Sequence, residues 1–238
     1  MPRTTYSTGI ATPQSSTEIN ADRWQRPYDA PHVESWVWRW WNRVGSRYIK
    51  TPRGLTSLDH GCGQGAAANF FNGLGFEAHG CDVSKIAIER GRRMFLDLTS
   101  RLHLVDPLLG DLDPSLESFS LVTSVQTLYY LTPNDCQNVL ENLRQRSAAR
   151  GIIYLTWMSG TGHYWDASAD SGDGMRHVTY RDDRIEVDER IRFAESRDHL
   201  VSMLPMIEPL ECGRYLQSFR SQDFGRESIH FALTGRWR

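Results

Sequence analysis

The segment Leu58-Asp59-His60-Gly61-Cys62-Gly63-Gln64-Gly65 puts a carboxylate, three glycines and a polar amide where an apolar run gives way to a helical pattern. Glycines at such a junction allow a tight turn and let a ligand approach the backbone without meeting a Cβ. The helix start adds N–H donors that have no partner inside the helix. A nucleotide-like ligand suits that arrangement. Gly61, Gly63 and Ala66 also satisfy the loose dinucleotide form G-x-G-x-x-G/A, a match that is weak by itself. Asp59, two residues before the first glycine, favours a different occupant, because it repels a pyrophosphate and suits a cationic amino group.

Three further segments carry compatible chemistry. Gly80-Cys81-Asp82-Val83-Ser84 closes the next apolar run, about 20 residues beyond the glycines, and a carboxylate at that place accepts two hydrogen bonds from a ribose diol. NAD and adenosyl ligands share that demand. Gly110-Asp111-Leu112-Asp113 follows a third run, where an acidic side chain can take the exocyclic amine of adenine and a following N–H can reach the ring. The run from Phe119 ends in Gln126, Tyr129 and Tyr130, and a fifth run leads into His163, Tyr164 and Trp165. His163, Tyr164, Tyr129 and Tyr130 are the candidates for contact with a substrate. His60 is assigned no proton transfer, and His177 reads as a structural residue of a hairpin whose arginines and carboxylates pair across strands.

The elements that must position these groups follow from hydrophobic period. Leu55 to Asp59, Phe76 to Asp82, Leu102 to Val105, Phe119 to Val125 and Gly151 to Met158 read as strands. Between them lie helical patterns at Gly65 to Leu74, Ser84 to Asp97 with Ser84 as cap, and Pro133 to Ala148. Regular alternation implies a doubly wound parallel sheet covered on both faces. Arg197 to Ile207 reads as a helix; Leu210 to Phe219 and Ser228 to Trp237 then form a pair joined too closely for a helical crossover, hence antiparallel. Ahead of the sheet, Asp29-Ala30-Pro31 offers a helix start, and Val33, Trp36, Val37, Trp40, Trp41, Val44 and Tyr48 recur at helical spacing.

Organisation and compartment are bounded by composition. The 238 residues suit one domain: a mobile Ser/Thr-rich tail (1–22), an aromatic helix or lid (23–50), a core (55–158), an inserted loop and hairpin over the ligand crevice (159–193), and a terminal helix with the strand pair (194–238). With 27 basic against 29 acidic residues, the chain has no charge excess for gripping nucleic acid or anionic membrane. Its four cysteines form no metal-ligand or C-x-x-C spacing, and no apolar run would span a bilayer or serve as a signal peptide. A cytoplasmic protein without a metal, acting on a small molecule, is the expectation.

Taken in this order and at these spacings, the four segments resemble the class I S-adenosylmethionine-dependent methyltransferase family. The resemblance runs from roughly Leu55 to Met158, and the terminal pair matches the family's reversed last strand. It implies an α/β fold with a doubly wound, mostly parallel seven-stranded sheet, and S-adenosyl-L-methionine as cofactor. Asp59, Gly61, Cys62, Gly63 and Gln64 would surround the methionine end, with Gln126 also near it. Asp82 would hold the ribose, Val83 would pack on adenine, and Asp111 and Leu112 would meet the adenine edge. Trp24 and Tyr28, outside the helical stripe, would line the cofactor entrance. Ser120 departs from the family, which often has Asp there. The implied activity is methyl transfer; near-neutral charge, no appended recognition domain, and an aromatic N-terminal segment with an insertion that together could close over a pocket point to a small-molecule acceptor, at oxygen rather than nitrogen, in secondary-metabolite or sugar modification. A cofactor-binding scaffold without turnover and an NAD-dependent oxidoreductase are the alternatives.

Overall fold

Short apolar runs between helical segments become strands β1 Thr56–His60, β2 Glu77–Asp82, β3 Leu102–Leu104, β4 Phe119–Ser124 and β5 Ser147–Met158 in the computed structural model, which describes residues 32–181, 186–217 and 227–238. Three more, β6 Ser168–Asp170, β7 Arg176–Arg181 and β8 Glu186–Ile191, form a separate antiparallel sheet, and β9 Ile207–Gln217 and β10 Ser228–Trp237 close the chain. The main sheet has the order β3-β2-β1-β4-β5-β10-β9. Strands β1 to β5 pair in parallel, and β10 is antiparallel to both β5 and β9. This is the expected seven-stranded sheet with its reversed last strand.

Helix α1 runs from Ser35–Trp40 through a π-helical segment, Trp41–Gly45, to Ser46–Tyr48; α2 is Ala66–Gly73, α3 Lys85–Met94, α4 Pro133–Gln145, α5 His163–Asp166 and α6 Arg197–Met203. Ser84 caps α3 as its sequence position predicts, its hydroxyl accepting from Ala87 N at 3.3 Å. The start of α1 falls at Ser35; the expected tail (1–22), the Asp29-Ala30-Pro31 segment and residues 182–185 lie outside the described residues.

Two apolar layers sandwich the sheet. One includes Leu58, Val122, Leu140, Ile153 and Trp157; the other joins Trp40 and Trp41 of α1 to Phe71, Leu121 and Tyr154. Trp40 stacks on Tyr154 at 4.0 Å between centroids and donates its indole N–H to Thr234 Oγ1 at 2.8 Å. The tryptophan-rich helix is thus tied across the sheet to β10. No helix among the described residues is long and apolar enough to cross a membrane.

Candidate active site

A cavity of about 470 Å³ opens at the carboxyl ends of β1, β2 and β4, the crevice where such sheets take ligands. The turn after β1 forms its floor. Gly61 has φ +69°, and a Cβ there would lie 2.2 Å from Thr127 Oγ1, so both its backbone angle and its neighbour require glycine. Cys62, Gly63 and Gln64 also line the cavity, together with Asp59, Asp82, Val83 and Gln126.

The two carboxylates are held differently. Asp82 accepts from Gly63 N and Ser84 N, both at 2.8 Å. Burial raises its pKa, and these backbone donors pull it back only in part. Among the described residues Asp59 accepts one bond, from Thr123 Oγ1 at 2.6 Å, and is 4% exposed. Burial pushes it up to about 7, against the Thr123 hydroxyl and with further repulsion from Asp82. Desolvation, not a neighbouring charge, dominates both shifts, so a cation entering the cavity relieves the cost of ionising them. The Cys62 thiol is pushed up in the same way, by burial and then by Asp82 and Asp59, which makes it a poor nucleophile.

The expected cavity contacts Asp111 and Leu112 are not found in the wall, where Asp106 stands instead. The two aspartates close the turn after β3 reciprocally: Asp111 N donates to Asp106 Oδ2 at 2.8 Å, and Asp106 N to Asp111 Oδ1 at 2.7 Å. Leu112 is buried in the core at 2% exposure. Burial pushes the Asp106 carboxyl up, but N–H donors from Leu108 and Asp111 outweigh it and hold the group below the ordinary carboxylate range. The sequence signal for Asp106 is that Asp59, Asp82 and Asp106 each stand within two residues of the end of one of the first three strands.

Of the substrate candidates, only Tyr130 lines the cavity. Tyr129 is 1% exposed and packs in the core beside Trp157 and His230. His163 sets its ring against Tyr180 at 4.3 Å, Tyr164 packs on the same core, and Trp165 is held between the Arg176 guanidinium and Phe193. None of the described residues of the insertion reaches the cavity wall. Trp24 and Tyr28 lie outside the described residues; His32, Glu34 and Val37 supply the N-terminal part of the wall.

Gln126 stands at φ +54°, in the left-handed region that a non-glycine residue adopts at a cost. Its N–H donates to Thr156 Oγ1 at 2.8 Å, and its side-chain amide reaches Tyr215 OH at 3.4 Å. Tyr215 is clamped between Trp36 and His230, each with its ring centroid 5.0 Å away. Among the described residues no group of three His, Cys, Asp or Glu side chains is placed to hold a metal ion.

Residues 58–151 match the family model described as "Methyltransferase domain". No curated protein sequence matches the chain. Among solved structures, the chain is similar to a protein from work on conversion of a disulfide bond into a thioacetal group during echinomycin biosynthesis, with 16% identity, a TM-score of 0.61 and coverage of 94% of this chain and 93% of that one. It is also similar to magnesium protoporphyrin IX methyltransferase from Synechocystis with bound S-adenosylhomocysteine (13%, 0.60, 92% and 94%). A third is an N-methyltransferase from Bradyrhizobium japonicum in complex with S-adenosyl-L-homocysteine (14%, 0.59, 94% and 99%). At these identities the likeness concerns the fold.

Proposed function

From a chain that carries a class I S-adenosylmethionine-dependent methyltransferase domain, we propose that this enzyme methylates a small molecule at oxygen. The observation that carries the assignment within the cavity is Asp59, a buried carboxyl with one hydroxyl donor among the described residues and a pKa pushed up to about 7, next to a glycine turn and a second, half-buried carboxylate. Such a site favours a ligand bearing positive charge and disfavours the pyrophosphate of NAD. S-Adenosylmethionine, when bound, supplies a methyl group already activated by its sulfonium.

The chain's own residues then have the following roles. Asp59 pairs with the ammonium of the methionine end, with Gln126 beside it. Asp82, fixed by Gly63 and Ser84, accepts from the ribose diol, and Val83 packs on adenine. Asp106 meets the adenine edge. What remains is to hold the acceptor in line with the methyl group and exclude water. Along the wall from Val125 to Leu131 the polar side chains are Gln126, Thr127 and Tyr130, while Glu34 stands on the N-terminal part of the wall. Amide and hydroxyl groups suit a hydroxyl acceptor.

A small acceptor accords with the near-neutral chain and a cavity of about 470 Å³. Two of the similar structures are named for small-molecule chemistry, echinomycin biosynthesis and magnesium protoporphyrin IX. Incubation with methyl-labelled S-adenosylmethionine and a metabolite extract should place label in a low-mass ether or ester. Label confined to nucleic acid or protein, or found on nitrogen, overturns the corresponding part of the reading.

A further inference from the structure

The parallel register of β1 on β4 sets Asp59 beside Thr123 and His60 beside Ser124. Neighbouring residues of a strand face opposite ways, so these are two cross-strand polar pairs on opposite faces of the sheet. In the first, the threonine hydroxyl donates to the Asp59 carboxylate. In the second, His60 Nδ1 lies 3.0 Å from Ser124 Oγ. Both histidine and serine are enclosed, at 6% and 0% exposure, and His60 is part of the cavity wall.

The direction of the second bond follows from Ser124. His60 Nδ1 is the one hydrogen-bond partner of its hydroxyl among the described residues. If the imidazole were the donor, the Ser124 O–H would be buried without an acceptor, an arrangement that native interiors avoid. Ser124 therefore donates to Nδ1. A neutral imidazole that accepts at Nδ1 carries its proton on Nε2. Burial keeps the ring neutral, lowering its pKa to about 4. Nε2 has no partner among the described residues, yet it is not among the polar atoms sealed from solvent. A preset N–H donor thus faces the space that the ligand fills.

We propose that His60 is a binding residue of the cofactor cavity, a neutral imidazole oriented by Ser124 so that Nε2–H donates to an oxygen of the S-adenosyl ligand. The oxygen belongs to a ribose hydroxyl or to the methionine carboxylate. This rests on the cofactor reading above and extends it to a residue inside the glycine motif. Because its free nitrogen is protonated, His60 cannot remove a proton from the acceptor.

Calorimetric titration with S-adenosylhomocysteine and with 5′-methylthioadenosine, which lacks the amino-acid part, tests the proposal at neutral pH. His60→Leu should weaken S-adenosylhomocysteine about tenfold, the size of one lost hydrogen bond. His60→Gln, whose amide N–H extends to a similar place, should restore affinity to within about threefold of the native value. An equal loss for methylthioadenosine assigns the ribose oxygen; a loss confined to S-adenosylhomocysteine assigns the carboxylate. Native affinity in His60→Leu, or equal losses in the Leu and Gln variants, overturns the proposal in favour of a packing role. Should His60→Leu not fold, imidazole-nitrogen NMR on the native protein decides: a His60 ring protonated at Nδ1 overturns the proposal, and one protonated at Nε2 supports it. Failure of the native protein to bind S-adenosylhomocysteine strikes the cofactor reading instead.

Discussion

Asp59 pays for its place in the cavity with stability, and the sign of that cost can be worked out. Its folded pKa of about 7 lies above the ordinary value of 3.8, chiefly through burial. A carboxyl that holds its proton more tightly when folded favours the native state at low pH and loses that advantage as pH rises from about 4 through about 7. Asp59→Asn cannot ionise, so it should raise the melting temperature of the ligand-free protein most at pH 8, less at pH 5, and little below about pH 4. Ligand affinity should move the other way. Pairing with an ammonium needs the carboxylate, so native S-adenosylhomocysteine affinity should improve up to about tenfold per pH unit below the pKa and level off above it. The Asn variant should bind more weakly and lose most of that dependence. Scanning calorimetry and titration at several pH values read both effects; a native affinity flat from pH 5.5 to 8 would separate Asp59 from the ammonium.

At the level of elements, the glycine turn depends on how closely α3 packs against it. A Cβ on Gly91 would stand 2.2 Å from the Gln64 carbonyl oxygen, and a backbone atom cannot rotate out of the way. Alanine is the better helix former by about 1 kcal/mol, yet here the collision decides the sign. Gly91→Ala should cost roughly 1–3 kcal/mol in urea unfolding and weaken S-adenosylhomocysteine by displacing the turn. Gly73, in the last turn of α2, has nothing within 4 Å of its would-be Cβ, and Gly73→Ala should be neutral or stabilising. The elements that carry this geometry were legible because each buries an apolar run between turn residues, as Leu121 and Val122 do in β4 and Ala78 and Cys81 in β2. Less legible were elements fixed by distant partners. β5 begins at Ser147, in a partly exposed stretch without large apolar residues, and Ser147 pairs with Phe119 before a register shift. β6 is three small or polar residues whose strand character comes only from pairing with β7. α6 ends at Met203 because the chain turns at Leu204 and joins β9 at Ile207. In the site, Gly110 marks Asp111 in the sequence, whereas Asp106 reaches the cavity through a turn that both aspartates close.

Across the whole molecule, the inserted three-stranded sheet is not a loose flap. Val178 and Ile191 are fully buried, and with Val187 they belong to the same apolar cluster as Leu58 and Trp157 of the main sheet. Arg192 N donates to Tyr129 O at 2.7 Å, a backbone bond joining the end of β8 to the turn that carries Tyr130 into the cavity wall. An element sharing its core with the sheet must unfold with it, since opening it alone would expose both sides of that cluster. Ile191→Ala leaves a void in a shared core and should cost about 2–4 kcal/mol. Its unfolding should remain one transition, with far-ultraviolet circular dichroism and tryptophan fluorescence losing signal at the same urea concentration. An earlier fluorescence transition, from Trp165 separating from Phe193, would instead make the small sheet an independent unit. It could then open and close over the acceptor side without disturbing the cofactor cavity. A shared transition fixes Tyr130 as firmly as the sheet itself, and acceptor selectivity then depends on a wall set before the ligand arrives.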